Sequence, residues 1–316
     1  MTNKKGSLIV ITGPTAVGKT ELSVALAKKI DGEIISADSV QVYKHMDIGS
    51  AKITKAEMQG IPHHLIDICE PGEAFNIARF KELSKQAVNE IFSRGKIPII
   101  AGGTGFYIQS LIYDIDFKET ATDGTRTKYE EMLREKGEAY LHSLLKERDP
   151  EAAAAIHPNN AKRVIRALEY FEQTGTKIST HNEEERRKES PYNFAYFVLN
   201  LPRETLYDRI NRRVDMMLED GLLDEVQSLV ASYGVTGDMV SMQALGYKEI
   251  LDYLNGNITL EDAIYTIKRD TRHFAKRQLT WFKREREVIW LDKEEHATLD
   301  MQLDFITEQL KNKNII

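Results

Sequence analysis

Residues 8–30 restrict the fold more than any other stretch of the chain. The apolar, β-branched run Leu8-Ile9-Val10-Ile11-Thr12 has the composition of a parallel strand buried on both faces. It leads straight into Gly13-Pro14-Thr15-Ala16-Val17-Gly18-Lys19-Thr20, which fits the spacing G-x-x-x-x-G-K-[ST] of a phosphate-binding loop. Behind the loop, Leu22, Ala25, Leu26 and Ile30 recur at helical spacing. A strand, a glycine loop and a helix in this order wrap backbone N–H groups around an anion at a helix N-terminus, where the helix dipole also favours negative charge. Lys19 is then the cation for the outer phosphate oxygens, and the Thr20 hydroxyl is a ligand for Mg2+. The loop alone is compatible with a nucleotide or with another polyphosphate.

The next segments extend a sheet. Residues 33–38 read as a second strand that ends in Asp38, with a loop over 39–43. Ligands of doubly wound sheets bind beyond the carboxyl ends of the strands, so Asp38 is expected to face the same crevice as the glycine loop. His63, Leu65, Ile66 and Asp67 look like a short strand, and 77–94 has the apolar spacing of an amphipathic helix stopped by Gly95. Residues 97–101 form another strand, which ends in Gly102-Gly103-Thr104-Gly105 where nucleotide hydrolases usually carry an acid. Without that acid the usual water-activating apparatus is incomplete, and Thr104 and nearby N–H groups offer neutral hydrogen bonds instead.

From residue 114 to 190 the pattern changes to charged helices, over 127–136, 139–148, 151–156 and 161–173, with breaks at Gly137 and Gly175. Residues 182–190 read as a charged surface loop. Strand patterns return at 194–199 and 288–291, with a helix over 204–218 that puts Arg209 and Arg213 on one face. The fold class is therefore α/β: a P-loop NTPase-like parallel sheet flanked by helices, with an all-helical insertion domain. The expected bounds are 1–115 for the first part of the core, 116–190 for the insertion and 191–316 for the second part. A chain of 316 residues is long enough for both units.

Charge and cysteine content narrow the class. With 43 Lys and Arg against 49 Asp and Glu, the net charge of -6 excludes a uniformly basic nucleic-acid coat, so a polyanion must meet a local patch. One such patch is residues 264–286. Lys268, Arg272 and Lys276 stand four apart there, Arg269 and Arg277 flank them, and Phe274, Trp281 and Phe282 are interleaved. The single cysteine, Cys69, excludes an intramolecular disulfide and a cysteine zinc cluster. No stretch is long and apolar enough for a membrane span, so a soluble, cytoplasmic protein is expected.

A polyphosphate cradle with Mg2+, a carboxylate across the crevice, no hydrolytic acid and a basic patch suit proton removal from a nucleophile as a phosphate ester departs. Two enzyme classes fit: a P-loop small-molecule kinase, and an alkyl transferase with pyrophosphate as the leaving group. A nucleotide-switched binding module is a third reading, weakened by the lack of an N-K-x-D base-recognition motif.

The chain resembles the tRNA dimethylallyltransferase family, in its bacterial form without a C-terminal zinc finger. The glycine loop at 13–20 carries the resemblance together with Ser36-Ala37-Asp38-Ser39-Val40-Gln41-Val42-Tyr43, Met46-Asp47-Ile48-Gly49-Ser50-Ala51-Lys52 and Pro62-His63-His64-Leu65-Ile66-Asp67. Ala101-Gly102-Gly103-Thr104-Gly105-Phe106-Tyr107, Gly246-Tyr247-Lys248-Glu249 and Ala275-Lys276-Arg277-Gln278-Leu279-Thr280-Trp281-Phe282 continue it almost to the C-terminus.

The resemblance implies transfer of a dimethylallyl group from dimethylallyl diphosphate to N6 of the adenosine 3′ to the anticodon of tRNA, with Mg2+ and release of diphosphate. It implies that Gly13, Pro14, Thr15, Ala16, Val17, Gly18, Lys19 and Thr20 bind the diphosphate, helped by Arg213, with Thr20 on the metal. Asp38 is then the base for the adenine amine. Ser39, Val40 and Gln41 line the pocket of the flipped nucleotide, and Thr104 contacts tRNA at the reacting end. Arg126, Lys162, Arg163 and Arg166 of the insertion grip the anticodon stem-loop, with Lys276 and Arg277 as further tRNA contacts. A monomer is expected.

Overall fold

The computed structural model describes residues 6–117 and 124–316. The first strand, β1 (Ser7–Thr12), leads through the glycine loop into α1 (Lys19–Ile30), and β2 (Gly32–Ser36) follows at once. Next come α2 (Lys55–Met58), β3 (His63–His64), α3 (Ile77–Ser93), β4 (Ile97–Gly102) and α4 (Gly105–Ile112). Four helices succeed them: α5 (Thr125–Arg148), α6 (Pro150–Ala155), α7 (Ala161–Thr174) and α8 (Ile178–Arg187). The sheet resumes with β5 (Asn193–Asn200), followed by α9 (Arg203–Glu219), α10 (Leu222–Tyr233), α11 (Tyr247–Leu254), α12 (Leu260–Phe282), β6 (Val288–Asp292) and α13 (Leu299–Asn312).

These elements form two compact units, Met1–Ile112 with Pro191–Ile316, and Tyr113–Ser190. The first is built on a parallel sheet of order β3-β2-β4-β1-β5-β6. Helices cover both faces, which is why β1 and β5 are apolar almost throughout and Leu8, Ile9, Val10 and Ile11 are all solvent-inaccessible. Leu22 and Leu26 of α1, Phe197 and Leu199 of β5, and Ile306 and Leu310 of α13 share one core cluster. Cys69 is a buried free thiol. Among the described residues, no helix is long and apolar enough to cross a membrane.

The second unit packs Tyr129, Leu141, Leu145, Val164, Ile165 and Leu168 into its own small core. Gly137, with φ of 80° and ψ of 172°, breaks α5 where the sequence places a boundary. Asp149 is fully buried because its carboxylate is saturated: it accepts from the Ala152 and Ser179 N–H groups and from the Ser179 hydroxyl.

Two local expectations are corrected. The expected strand over 63–67 pairs with β2 only at His63 and His64. Leu65 and Asp67 take left-handed φ values of 63° and 54°, which turn the chain so that the Asp67 and Ile68 N–H groups bond Gln41 and Val42. Residues 182–187, expected in a surface loop, belong to α8, since Glu and Arg are good helix formers and Arg187 pairs with Glu183 one turn back.

Candidate active site

The glycine loop takes its shape from close packing. Gly13 has φ of 146°, and a Cβ there would stand 2.6 Å from the Leu199 carbonyl oxygen of β5, so no side chain fits. Gly18 precedes α1 in the left-handed region and contributes no side-chain cap, which leaves the first-turn N–H groups for an anion.

A cavity of about 100 Å³ opens beside the loop, lined by Thr15, Lys19, Thr20 and Ser23. Ser36, Asp38 and Gln41 line it from the end of β2 and the loop beyond, and Arg213 enters from α9. The remaining wall is largely apolar: Ile34, Ala51, Ile53, Ile66 and Ala101, with Ser50 and His63. The site thus has a cationic end, a carboxylate and an apolar wall.

Charge is concentrated at the cationic end. Lys19 Nζ donates to the carbonyl oxygens of Pro14 at 2.9 Å and Gly13 at 3.1 Å. Burial holds its pKa at about 8, below the ordinary 10.5; the nearby Arg213 charge adds to the fall and Asp38 opposes it. The Arg213 pKa is also lowered, mainly by burial and then by Arg209, with Glu57 acting in the opposite sense. Two crowded, poorly solvated cations favour an anionic ligand, because neutralising them relieves both burial and mutual repulsion.

Asp38 is held by its own loop. Its Oδ1 accepts from the N–H groups of Val40 at 2.8 Å and Gln41 at 3.3 Å. The strand end that carries it is fixed by β4: the Ala37 N–H donates to Ala101 O, and the Thr104 N–H donates to Ala37 O. Gln41 Nε2 in turn donates to Ala51 O at 3.2 Å, joining this loop to the apolar wall.

The other sequence-identified residues are more dispersed. Ser39 is exposed and Val40 half-buried, and neither lines the cavity. Thr104 sits at the start of α4, immediately after the glycines, and is also outside the lining. Arg126, Lys162, Arg163 and Arg166 belong to the 113–190 unit. Lys162 and Arg163 are exposed, whereas Arg126 pairs with Glu130 at 3.0 Å and Arg166 with Glu169 at 3.2 Å. On α12, Lys276 and Arg277 are exposed. Lys268 and Arg272 instead join α12 to α9, through Asp215 Oδ1 at 2.5 Å and Asn211 Oδ1 at 2.7 Å. Phe282 is fully buried core.

Several contributors escaped sequence reasoning. Lys293, just after β6, donates to Val17 O at 3.3 Å, and burial followed by the Arg209 charge lowers its pKa. His63 lines the cavity with a pKa lowered chiefly by burial, its Nδ1 2.8 Å from Ile61 O. Glu225 of α10 accepts from the N–H groups of Asp47, Ile48 and Gly49 and from the Tyr247 hydroxyl. The family-like segment 46–52 was the available signal, but its partner lies about 175 residues away.

A glycine loop between β1 and α1, on a parallel sheet flanked by helices, defines a P-loop NTPase-like fold. The chain belongs to the IPP transferase family, whose model matches residues 41–285. It is 57% identical over 310 residues to the tRNA dimethylallyltransferase of Lachnoclostridium phytofermentans, covering 98% of this chain and 99% of that one. Its structure is similar to that of the tRNA isopentenylpyrophosphate transferase of Bacillus halodurans, with a TM-score of 0.73, 46% identity and 98% of each chain covered. It is also similar to a eukaryotic dimethylallyltransferase solved acting on tRNA, with a TM-score of 0.83, 32% identity, and coverage of 98% of this chain and 79% of the other.

Proposed function

We propose that the protein transfers the dimethylallyl group of dimethylallyl diphosphate to N6 of the adenosine 3′ to the anticodon in tRNA, releasing diphosphate. The observation that carries this reading is the cavity that sets Asp38 opposite Lys19, Thr20 and Arg213 with an apolar wall beside them. The glycine loop and Arg213 hold the diphosphate, and the wall takes the hydrocarbon. As the C1–O bond breaks, negative charge grows on the departing oxygens, and the Lys19 and Arg213 charges stabilise it. The adenine nitrogen bonds to C1, and its proton passes to the Asp38 carboxylate, whose Oδ1 is already oriented by two backbone N–H groups. Gln41, with Ser39 and Val40, faces the flipped base, and Thr104 meets the nucleotide at the reacting end.

Mg2+ suits this donor set. Among the described residues no cluster of three His, Cys, Asp or Glu side chains could hold a metal, and the exposed Thr20 hydroxyl at the cavity gives one protein oxygen. An ion that keeps most of its waters and binds chiefly through phosphate fits one such ligand. When bound it neutralises the leaving group.

For tRNA, Lys162 and Arg163 of the insertion, with Arg126 and Arg166, supply cations for the anticodon stem-loop, and Lys276 and Arg277 add two more from α12. The same reading carries with it a cytoplasmic enzyme that works as a monomer. Incubation with dimethylallyl diphosphate, Mg2+ and unmodified tRNA should yield N6-isopentenyladenosine by mass spectrometry. Phosphate transfer from labelled ATP to a small acceptor, with no alkylated tRNA, would support the kinase reading instead.

A further inference from the structure

Gln278 is a glutamine on α12 whose flanking residues Lys276 and Arg277 point to solvent, yet it is only 6% exposed. Its amide spans two loops. Oε1 accepts from the Thr15 N–H of the glycine loop at 2.9 Å, and Nε2 donates to the Gly103 carbonyl oxygen at 2.9 Å. Thr15 belongs to the diphosphate cradle, and Gly103 precedes Thr104 at the end of β4. One side chain therefore ties the half of the site that holds the donor to the turn at the acceptor end. The fit is close: a Cβ on Gly103 would stand 2.3 Å from Gln278 Nε2. One turn further along α12, the Trp281 ring covers Gly105 in the same manner, at 2.3 Å from a Cβ built there. An apolar side chain of the same length would remove the partner of the part-buried Thr15 N–H and of the buried Gly103 carbonyl.

We infer that Gln278 is a positioning residue, which sets the separation of the diphosphate cradle and the glycine turn and so the distance over which the allylic carbon meets the adenine amine. The inference rests on the prenyl-transfer reading above. Since the amide holds the two loops in register and Gln278 is not among the residues that line the cavity, its loss leaves each half-site able to bind while their spacing drifts. A displacement of about 1 Å between reacting groups is enough to cost on the order of a hundredfold in rate.

The test uses Gln278→Met, which keeps side-chain length but neither hydrogen bond, and Gly103→Ala, which dislodges the amide without changing α12 or the glycine loop. Both are compared with the wild type in prenyl transfer, in tRNA and inorganic pyrophosphate binding, and in thermal unfolding. Each variant should lower kcat at least about tenfold, with the KM for dimethylallyl diphosphate and the Kd for tRNA within about threefold. The double variant should be little worse than either single one, because both disrupt the same bridge. Unchanged kcat in a folded Gln278→Met protein, a change confined to KM, or losses that multiply in the double variant would each overturn the inference. If Gln278→Met does not fold, Gly103→Ala decides by the same split of kcat from KM. A wild type that shows no transfer refutes the reading beneath the inference and is told apart by that control alone.

Discussion

Gly102, the last residue of β4, lies so close to Ala37 at the end of β2 that a Cβ on the glycine would stand 2.2 Å from the Ala37 carbonyl oxygen. This approach fixes the strand end from which Asp38 projects, and the obstructing atoms are backbone, which cannot swing aside. Gly102→Ala should therefore push Asp38 out of place. Turnover is expected to fall by roughly a hundredfold or more, with tRNA affinity nearly unchanged. Steady-state kinetics alongside tRNA titration would show it, and wild-type turnover would mean that the strand ends do not set the geometry.

Removing the base gives a sharper result. Asp38→Ala should reduce turnover by about two to four orders of magnitude while leaving tRNA binding largely intact. Single-turnover assays at saturating tRNA measure this, and wild-type rates in such an assay would remove Asp38 from the mechanism.

The depressed Lys19 pKa predicts a pH dependence. The amine is charged below about pH 8 and loses its proton as pH rises through that value, because burial and then Arg213 disfavour the cation. Affinity of the free enzyme for diphosphate should therefore decline above about pH 8. The folding linkage has the opposite sign: between about 8 and the ordinary 10.5 the unfolded chain holds more protons, so this group's contribution to stability rises with pH. Pyrophosphate titrations from pH 6.5 to 9.5 test the binding limb, which Lys19→Gln should abolish along with most of the affinity.

Glu225 is expected to hold the wall of the cavity from a distance. Its carboxylate accepts from three successive N–H groups in the segment that leads to Ser50 and Ala51, and from Tyr247. A glutamine offers one acceptor oxygen and no charge. Glu225→Gln should thus destabilise the protein by about 2 kcal/mol, the scale of a lost charge-assisted hydrogen bond, and raise the KM for the allylic diphosphate. Chemical denaturation would measure the first effect, and an unaltered midpoint would show that the segment keeps its shape unaided.

Salt dependence separates the cations of α12. Lys276 and Arg277 are exposed, so Lys276→Ala or Arg277→Ala should each reduce the log–log salt slope of tRNA binding by about one. Lys268 is engaged by Asp215, so Lys268→Ala should leave the slope nearly unchanged. Slopes equal to that of the wild type for Lys276→Ala and Arg277→Ala would return α12 to a purely structural role.

The sheet strands, the phosphate loop and several of the helices were legible in the residues because their signals are local, whereas α2, α4, α10, α11 and α13 were not assigned. Apolar runs marked β1, β4 and β5, and the helical patterns read for α3, α7 and α9 lie within about a residue of their observed ends. Even the chemistry at the end of β4 could be read from an acid that is not there. Where local signals were weak the reading slipped: the strand over 63–67 shortened to a pair because Leu65 and Asp67 adopt a backbone that no hydrophobic pattern reports.

What the sequence by itself determined is the glycine loop at Gly13 to Thr20, since the strand, loop and helix that define it are contiguous and each carries a local signal. Only the tertiary structure decided how the distant supports of that loop and of the facing wall are assembled. Asp38 and Arg213 reach the loop from separate elements, Gln278 bridges to it across 263 residues, and Glu225 shapes the far wall across 176. Contacts of such separation leave no periodicity in the chain, because they depend on sheet order and helix packing, which arise only when the whole core is assembled.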